Sequence, residues 1–260
     1  MKFLFFGDIV GKPGRDAILA LLPGLRDEFA PDMVVANAEN IAGGWGITPH
    51  ISHALLTSGV DVVTMGNHTW AKEDGMEVIT GEPRVLRPLN YPPGTPGRGA
   101  GLFRTKEGVL VGVANIMGRV FMEPLDCPFR AADNFFATFH PKTNVLLIDF
   151  HAETTSEKVA FGYHCSGRAS VVVGTHTHVP TADERILPGG TAYITDVGMC
   201  GPTDSVIGMD TEVILNRFRT QLPHHRARVA EGAGCISAVL AEVDESTGKA
   251  RSITRIARQA

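Results

Sequence analysis

The sequence predicts an α/β fold built on a parallel β-sheet that is flanked by helices. In the first half of the chain, apolar runs rich in β-branched residues alternate with stretches of helical character. Several of these runs end in a short turn that carries Asp, Glu, Asn or His. A chain of 260 residues can bury a large core, and α/β folds of this size often form one domain. We therefore expect residues 1–260 to form a single domain.

The first predicted strand covers residues 2–7, and a helix follows from Pro13 toward Phe29, because proline is well placed in the first helical turn. A second strand is predicted at residues 33–36 and a third at 61–65. Between these two strands, a helix is expected to begin at Thr48-Pro49 and to end near Gly59. This β-α-β-α-β order is typical of a parallel, helix-flanked sheet.

Residues 81–101 interrupt this order with several Pro and Gly residues, which cannot sustain a helix or a central strand. Loops of this length are usually functional lids or disordered segments, so a lid beside the site and an inert surface loop are both open. Residues 118–141 are aromatic, contain Phe121, Phe129, Phe135 and Phe136, and are predicted to be an insertion with its own small apolar face. Further strands are predicted at residues 109–114, 145–148, 171–173 and 193–195, and an antiparallel pair within 235–256, joined near 245–248.

Composition narrows the class of protein. Hydrophobic residues make up 43% of the chain and charged residues 20%, as in ordinary globular proteins. The formal net charge of −4 gives no basic footprint, which disfavours a general nucleic-acid binder. The four cysteines are widely spaced, so thiolate zinc ligation is disfavoured and reduced thiols are expected. The apolar run at residues 3–6 is too short for a signal peptide, so we expect a cytoplasmic protein without a membrane partner.

Five short stretches concentrate residues that bind metals, and four of them follow an apolar, strand-like run. They are Gly7-Asp8, Glu39-Asn40, Gly66-Asn67-His68, Asp149-Phe150-His151 and Gly174-Thr175-His176-Thr177-His178. Strands followed by short polar turns deliver side chains to one end of a sheet. Mixed oxygen and nitrogen ligands suit Mn, Fe, Zn, Co or Ni better than a soft metal. The set is large enough for two ions and indicates a hydrolase of phosphate esters.

The histidines in these stretches have different expected roles. On an extended segment alternate side chains point the same way, so His176 and His178 are expected to approach one metal pair together; a tight turn would weaken this argument. Adjacent residues rarely bind one metal, so Asn67 is expected to be a ligand while His68 faces the substrate as an acid or charge-stabilising group. A purely structural role for His68 is the alternative. The other histidines are expected on the surface or on helices: His50, His53, His140, His164, His224 and His225.

These residues in this order resemble the calcineurin-like metallophosphoesterase superfamily, and more closely its YmdB-like branch. The matching stretches lie between residues 7 and 200: 7–11, 37–40, 66–70, 149–153, 174–183 and 195–199. Three positions depart from the wider superfamily in the way that the YmdB-like branch does. Val10 stands where a histidine ligand is usual, Glu39 replaces the usual bridging Asp, and Thr69 replaces an acidic residue. The resemblance implies that Asn40 takes the vacant coordination place.

The resemblance also implies a fold, a site and an activity. The fold would be a four-layered α/β/β/α sandwich. The first metal would be held by Asp8, Glu39, Asn40 and His178. The second would be held by Glu39, Asn67, His151 and His176. The expected cofactors are two transition-metal ions, Fe or Mn, with Zn as a further candidate. The expected activity is hydrolysis of cyclic nucleotides, 2′,3′-cyclic AMP or 3′,5′-cyclic AMP, by a metal-bridging hydroxide, with His68 assisting the leaving group.

Other functions remain open at this stage. A phosphomonoesterase would need the same metals but a pocket with room for a dianion. A regulator that senses a nucleotide with slow turnover would also keep the ligand set. An amidohydrolase is a weaker alternative, because those enzymes usually carry His-x-His on the first strand of a barrel, whereas here Asp8 comes first. The expected partner is a small phosphate ester or nucleotide, with no stable nucleic acid, and a homo-oligomer is left open.

Overall fold

The structure, a computed structural model, describes residues 1–222 and 227–260 and contains two β-sheets flanked by helices. The strands of the first sheet are β1 (Lys2–Phe6), β2 (Asp8–Ile9), β3 (Met33–Asn37), β4 (Val62–Thr64), β5 (Val85–Leu86), β12 (Met199–Pro202), β13 (Gly234–Val243) and β14 (Ala250–Gln259). Those of the second are β6 (Ala100–Arg104), β7 (Leu110–Met117), β8 (Leu146–His151), β9 (Val171–Thr175), β10 (Arg185–Ile186) and β11 (Ala192–Ile194). The helices are α1 (Gly11–Phe29), α2 (Pro49–Thr57), α3 (Gly75–Gly81), α4 (Pro128–Phe139), α5 (Thr155–Cys165) and α6 (Thr211–Thr220).

The first sheet has the order β2-β12-β13-β1-β3-β4-β5, with β14 paired to β13. Strands β1, β3, β4 and β5 run parallel, while β13 is antiparallel to β1. The second sheet has the order β10-β11-β9-β8-β7-β6, and its four central strands are parallel. Parallel neighbours need a crossover connection, which α1, α2, α4 and α5 supply. The carboxyl ends of β1, β3, β4, β8 and β9 carry the predicted site residues.

Three separate apolar cores divide the molecule into four layers. Successive residues of a strand point to opposite faces. In β1, Leu4 and Phe6 therefore join a core shared with α1 and α2, whereas Phe3 and Phe5 face the second sheet. A third core lies between the outer face of the second sheet and the helices α4 and α5, where Phe135 and Phe161 are buried. The layer order α/β/β/α confirms the predicted fold class.

The structure also shows the segments for which the sequence predicted loops, an insertion or an antiparallel pair. Residues 81–101 carry the chain from the first sheet to the second. They contain the two-residue edge strand β5 and an isolated bridge from Leu86 to Arg98, and they end in the first residues of β6. Residues 118–141 contain a turn and α4, whose apolar face packs on the second sheet, and their status as an insertion stays a prediction. The antiparallel pair near the carboxyl end is confirmed as β13 and β14. His224 and His225 lie outside the described residues.

Among the residues that the structure describes, every helix is too short or too polar to cross a membrane. All four cysteines are free, with Cys165 and Cys200 buried. Burial raises the pKa of both thiols, so these two side chains fill core space as neutral groups.

Candidate metal centre

All eight predicted site residues meet at the carboxyl ends of the parallel strands. Seven of them form two groups of donor atoms. We call Glu39, Asn67, His151 and His176 the histidine-rich cluster, and Asp8, Glu39, Asn40 and His178 the carboxylate cluster. Glu39 belongs to both, because its carboxylate lies between them. Each cluster draws side chains from both sheets, so the site forms only where the two sheets pack together.

The histidine-rich cluster converges on the Nε2 atom of His151. This nitrogen lies 3.0 Å from the Oδ1 atom of Asn67, 3.2 Å from the Oε2 atom of Glu39 and 3.1 Å from the Nδ1 atom of His176. Two nitrogens and two oxygens facing one another at these separations form a donor set of the kind that transition metals prefer. Gly66 makes the approach possible, because a Cβ atom at this position would overlap Glu39 and His151.

The carboxylate cluster has buried oxygen atoms that lack a protein partner. Single donor atoms of Asp8, Glu39 and His178 lie within 4.8 Å of one another. The Oδ1 atoms of Asp8 and Asn40 are buried and have no hydrogen-bond partner among the residues that the structure describes. Buried oxygens are normally hydrogen-bonded, so these two unpaired acceptors, of which Asp8 is grouped with Glu39 and His178, suit a cation. The residues present therefore fit a bound metal ion.

The ring of His151 is oriented by a relay of hydrogen bonds. Its Nδ1 atom lies 2.9 Å from the Oγ1 atom of Thr175, and the Thr175 hydroxyl donates to the Oδ1 atom of Asp149 at 2.7 Å. Because the hydroxyl proton goes to Asp149, the threonine oxygen accepts from the Nδ1–H group of His151. This leaves the Nε2 lone pair facing the cluster, as a metal-binding histidine requires. Asn37 also donates to Asp149, at 2.9 Å, and so links the two sheets.

The other two histidines are held in the same manner by different partners. The Nδ1 atom of His178 lies 2.8 Å from the carbonyl oxygen of Ile207, and the Nε2 atom of His176 lies 3.0 Å from the Oε2 atom of Glu153. In each ring the nitrogen that donates outward fixes the tautomer, and the remaining nitrogen faces a cluster. When neutral, all three histidines thus present a lone pair inward.

The segment from His176 to His178 is tightly turned, which is the case in which the argument from an extended segment is weakened. His176 has φ of 100° and His178 has φ of 67°, both in the region that L-residues rarely adopt. The turn sends the two rings to different clusters. It is stabilised by Asp196, which accepts from the backbone N–H and the hydroxyl of Thr177 at 3.2 and 2.8 Å. Asp196 in turn pairs with the buried Lys158 at 2.5 Å.

Charge is distributed unequally over the site. Burial would raise the pKa of Glu39, but His151 and His68 lower it well below its usual value. Burial opposes the charge on His151, yet Glu39 and Asp8 raise its pKa to about 9. The pKa of Asp8 is raised to about 6, chiefly by burial, and burial together with His151 lowers the pKa of His176 to about 3. Without a metal, the Glu39–His151 pair is therefore ionised, and a metal ion would displace its proton.

His68 lies beside the clusters and outside both. Its Nδ1 atom is 3.2 Å from the Nδ2 atom of Asn40 and 3.3 Å from the Oε1 atom of Glu39, while its backbone N–H donates to the Oε2 atom of Glu39. These contacts fix the ring. The Nε2 atom has no hydrogen-bond partner in the described part of the chain, and 29% of the side chain is exposed. His68 is thus placed to meet a substrate.

Several residues that shape the site were not assigned a role from the sequence. They are Thr175 and Asp149 behind His151, Glu153 behind His176, and the Lys158–Asp196 pair behind Thr177. Asp149 had a visible signal, because a carboxylate inside an apolar strand run must find hydrogen bonds. Lys158 had none, since lysine on a helix is usually exposed.

Comparison with known proteins identifies the family of this chain. The family model for YmdB-like proteins matches residues 4–256. A 2′,3′-cyclic-nucleotide 2′-phosphodiesterase from Bacillus subtilis (strain 168) is 50% identical over 256 residues, which cover 98% of this chain and 96% of that protein. A crystal structure of a hypothetical protein from Thermus thermophilus has a TM-score of 0.93 at 42% identity, covering 100% of this chain and 99% of that one. A novel phosphatase from Mycoplasma pneumoniae has a TM-score of 0.93 at 36% identity, covering 100% and 93%.

The fold, together with these relatives, defines the class as a phosphoric ester hydrolase. The predicted enzyme class is thereby confirmed. Within that class, the chain belongs to the YmdB-like family. The roles of the individual site residues stay predictions.

Proposed function

We propose that this enzyme is a two-metal phosphodiesterase that acts on cyclic nucleotides, with 2′,3′-cyclic AMP as the first candidate and 3′,5′-cyclic AMP as the second. The observation that carries the proposal is the pair of donor clusters that share the carboxylate of Glu39. A shared carboxylate is how two ions are held at the short separation that hydrolysis of a phosphate ester uses. The relative from Bacillus subtilis supports the choice of substrate through its named activity.

The carboxylate cluster would hold one ion and the histidine-rich cluster the other. The mixed oxygen and nitrogen donors favour Fe or Mn, with Zn as a further candidate. When bound, such ions lower the pKa of water and neutralise the charge on the phosphate oxygens. The free thiols of the four cysteines support the expectation of a reducing compartment such as the cytoplasm.

The chain itself would contribute orientation and a proton. Glu39 belongs to both clusters and, being ionised, would offer a carboxylate oxygen to an ion in each. The backbone N–H of His68 holds the Glu39 carboxylate in this position, with an N–O distance of 3.0 Å. The ring of His68 is fixed at Nδ1, and its exposed Nε2 atom would give a proton to the departing 2′ oxygen. Cleavage of that bond leaves the 3′-phosphate as product.

The test is hydrolysis of 2′,3′-cyclic AMP by the purified enzyme with Mn²⁺, with EDTA, and with a Glu39→Gln variant. We expect 3′-AMP to form only in the presence of metal, and Glu39→Gln to abolish turnover, because the shared carboxylate loses its charge and one oxygen ligand. The control is Glu107→Gln. Glu107 lies in the turn before β7, at the end of that strand away from the site, so this variant should hydrolyse 2′,3′-cyclic AMP at the wild-type rate.

Glu39→Gln turning over at the wild-type rate would contradict the assignment of the shared carboxylate. Release of inorganic phosphate from 3′-AMP, with no reaction of the cyclic nucleotide, would instead identify a phosphomonoesterase. Tight nucleotide binding without turnover, in protein that carries two metals, would identify a sensor.

A further inference from the structure

The chain leaves β7 directly beside the metal centre. In the parallel pairing of β7 with β8, Met117 lies opposite His151. The next residue, Gly118, donates its backbone N–H to the carbonyl oxygen of His151 at 3.0 Å. Three residues further on is Phe121, and three residues of extended chain span at most about 10 Å. The backbone of Phe121 therefore lies within about 10 Å of Gly118, at the same end of the second sheet as His151.

The turn that carries Phe121 is held by a buried carboxylate. Glu157, on α5, accepts from the backbone N–H of Arg119 at 3.1 Å and from that of Val120 at 3.2 Å. Gly118 fits closely above it, since a Cβ atom there would come within 2.6 Å of the Oε2 atom of Glu157. These contacts fix the path of the backbone up to Val120, so the position of Phe121 is set by the fold.

Phe121 combines two unfavourable features. Its φ angle is 61°, in the left-handed region that a residue with a Cβ atom rarely occupies, and 89% of its surface is exposed. The Phe121 ring is exposed and so contributes little hydrophobic stabilisation, while the backbone at Phe121 is held in a strained conformation. Strain of this kind, maintained by surrounding hydrogen bonds, is characteristic of ligand-contact positions.

We propose that Phe121 stacks on the nucleobase of the substrate; this inference rests on the proposed function. A phosphate held at the metal clusters leaves the base to extend toward the rim, where an aromatic face can cover it. Stacking on a phenyl ring suits any base, since each has a π-face. The ring of Trp70, two residues after His68, already packs edge to face on that of Tyr91, with centroids 5.7 Å apart. Phe121 instead has its ring open to solvent.

The test compares two substrates that differ only in the base: 2′,3′-cyclic AMP and 1-O-methylribose 2′,3′-cyclic phosphate. For Phe121→Ala we expect the KM of cyclic AMP to rise roughly 5- to 150-fold, the loss that removal of one base–aromatic stack produces, with kcat little changed. The KM of the base-free substrate should stay at the wild-type value. Phe121→Trp should restore a low KM for cyclic AMP, because it keeps an aromatic face.

Tyr163→Ala is the matched control. Tyr163 is also exposed and aromatic, but it lies at the end of α5 away from the metal centre, so both KM values should be unchanged. Equal effects of Phe121→Ala on the two substrates, or no effect on either, would overturn the inference. So would a change in oligomeric state at unchanged KM, which would make Phe121 a subunit contact. Wild-type protein that hydrolyses neither substrate would overturn the proposed function as well.

Discussion

Replacing Thr175 by valine tests whether the residues behind the histidines tune metal binding. The hydroxyl is the only group in the described structure that connects the Nδ1 atom of His151 to Asp149, through contacts of 2.9 and 2.7 Å. Valine keeps the shape of the side chain and removes this relay. Loss of such a partner typically lowers metal affinity 10- to 100-fold, which corresponds to about 1.4 to 2.8 kcal/mol.

The loss should be confined to the histidine-rich cluster. His178 keeps its own partner, the carbonyl oxygen of Ile207, so the carboxylate cluster should bind its ion as before. Titration of metal-free protein against a competing chelator, with metal content measured at each step, should show two sites in the wild type. In Thr175→Val, one site should weaken and the other should keep its affinity.

The matched control for this experiment is Thr191→Val. Thr191 is also fully buried, and its hydroxyl bonds the carbonyl oxygen of Ala169 at the end of β9 away from the metal centre. Both variants leave a buried partner unsatisfied, so each should lower the free energy of unfolding by about 1 to 3 kcal/mol. Only Thr175→Val should change metal affinity. Equal metal affinities in the two variants would refute the reasoning.

Three further perturbations test other parts of the centre. Gly66→Ala should abolish metal binding at the histidine-rich cluster, because the added methyl group overlaps two donor side chains. The control Gly24→Ala, which adds a methyl group in open space on α1, should leave the metal content unchanged. Lys158→Met should lower the urea-derived free energy of unfolding by about 3 to 5 kcal/mol, because the Asp196 carboxylate stays buried without its cation, and wild-type stability would contradict this. Metal affinity should increase as pH rises toward 9, because the ion displaces the proton that His151 holds below its raised pKa of about 9. Calorimetry in buffers of different ionisation enthalpy measures the number of protons released on metal binding. Metal binding without proton release would exclude this mechanism.

The strand ends of the site could be predicted from the sequence because the signal is local. An apolar run that stops at Asp8 or Glu39 shows where a strand delivers a polar side chain, whatever the rest of the chain does. The outer partners of the histidines carry no such signal. The carbonyl oxygen of Ile207 reaches His178 from 29 residues away, and any residue could supply a carbonyl. The turn at His176 was also hidden, because positive φ at a histidine depends on Asp196 and Lys158 rather than on the residue itself.

The donor clusters can form only when the two sheets pack together. Phe3 and Phe5 of the first sheet share an apolar core with strands of the second, and the site lies at the end of that interface. Each cluster takes oxygen donors that follow β1, β3 or β4 and histidines that follow β8 or β9. Packing of the sheets therefore brings the carboxylates of Asp8 and Glu39 together, which is electrostatically unfavourable. It also buries the Oδ1 atom of Asp8, which has no hydrogen-bond partner in the described structure. A cation at each cluster would remove that penalty and join the sheets, so the same ions that serve the chemistry would also stabilise the sandwich.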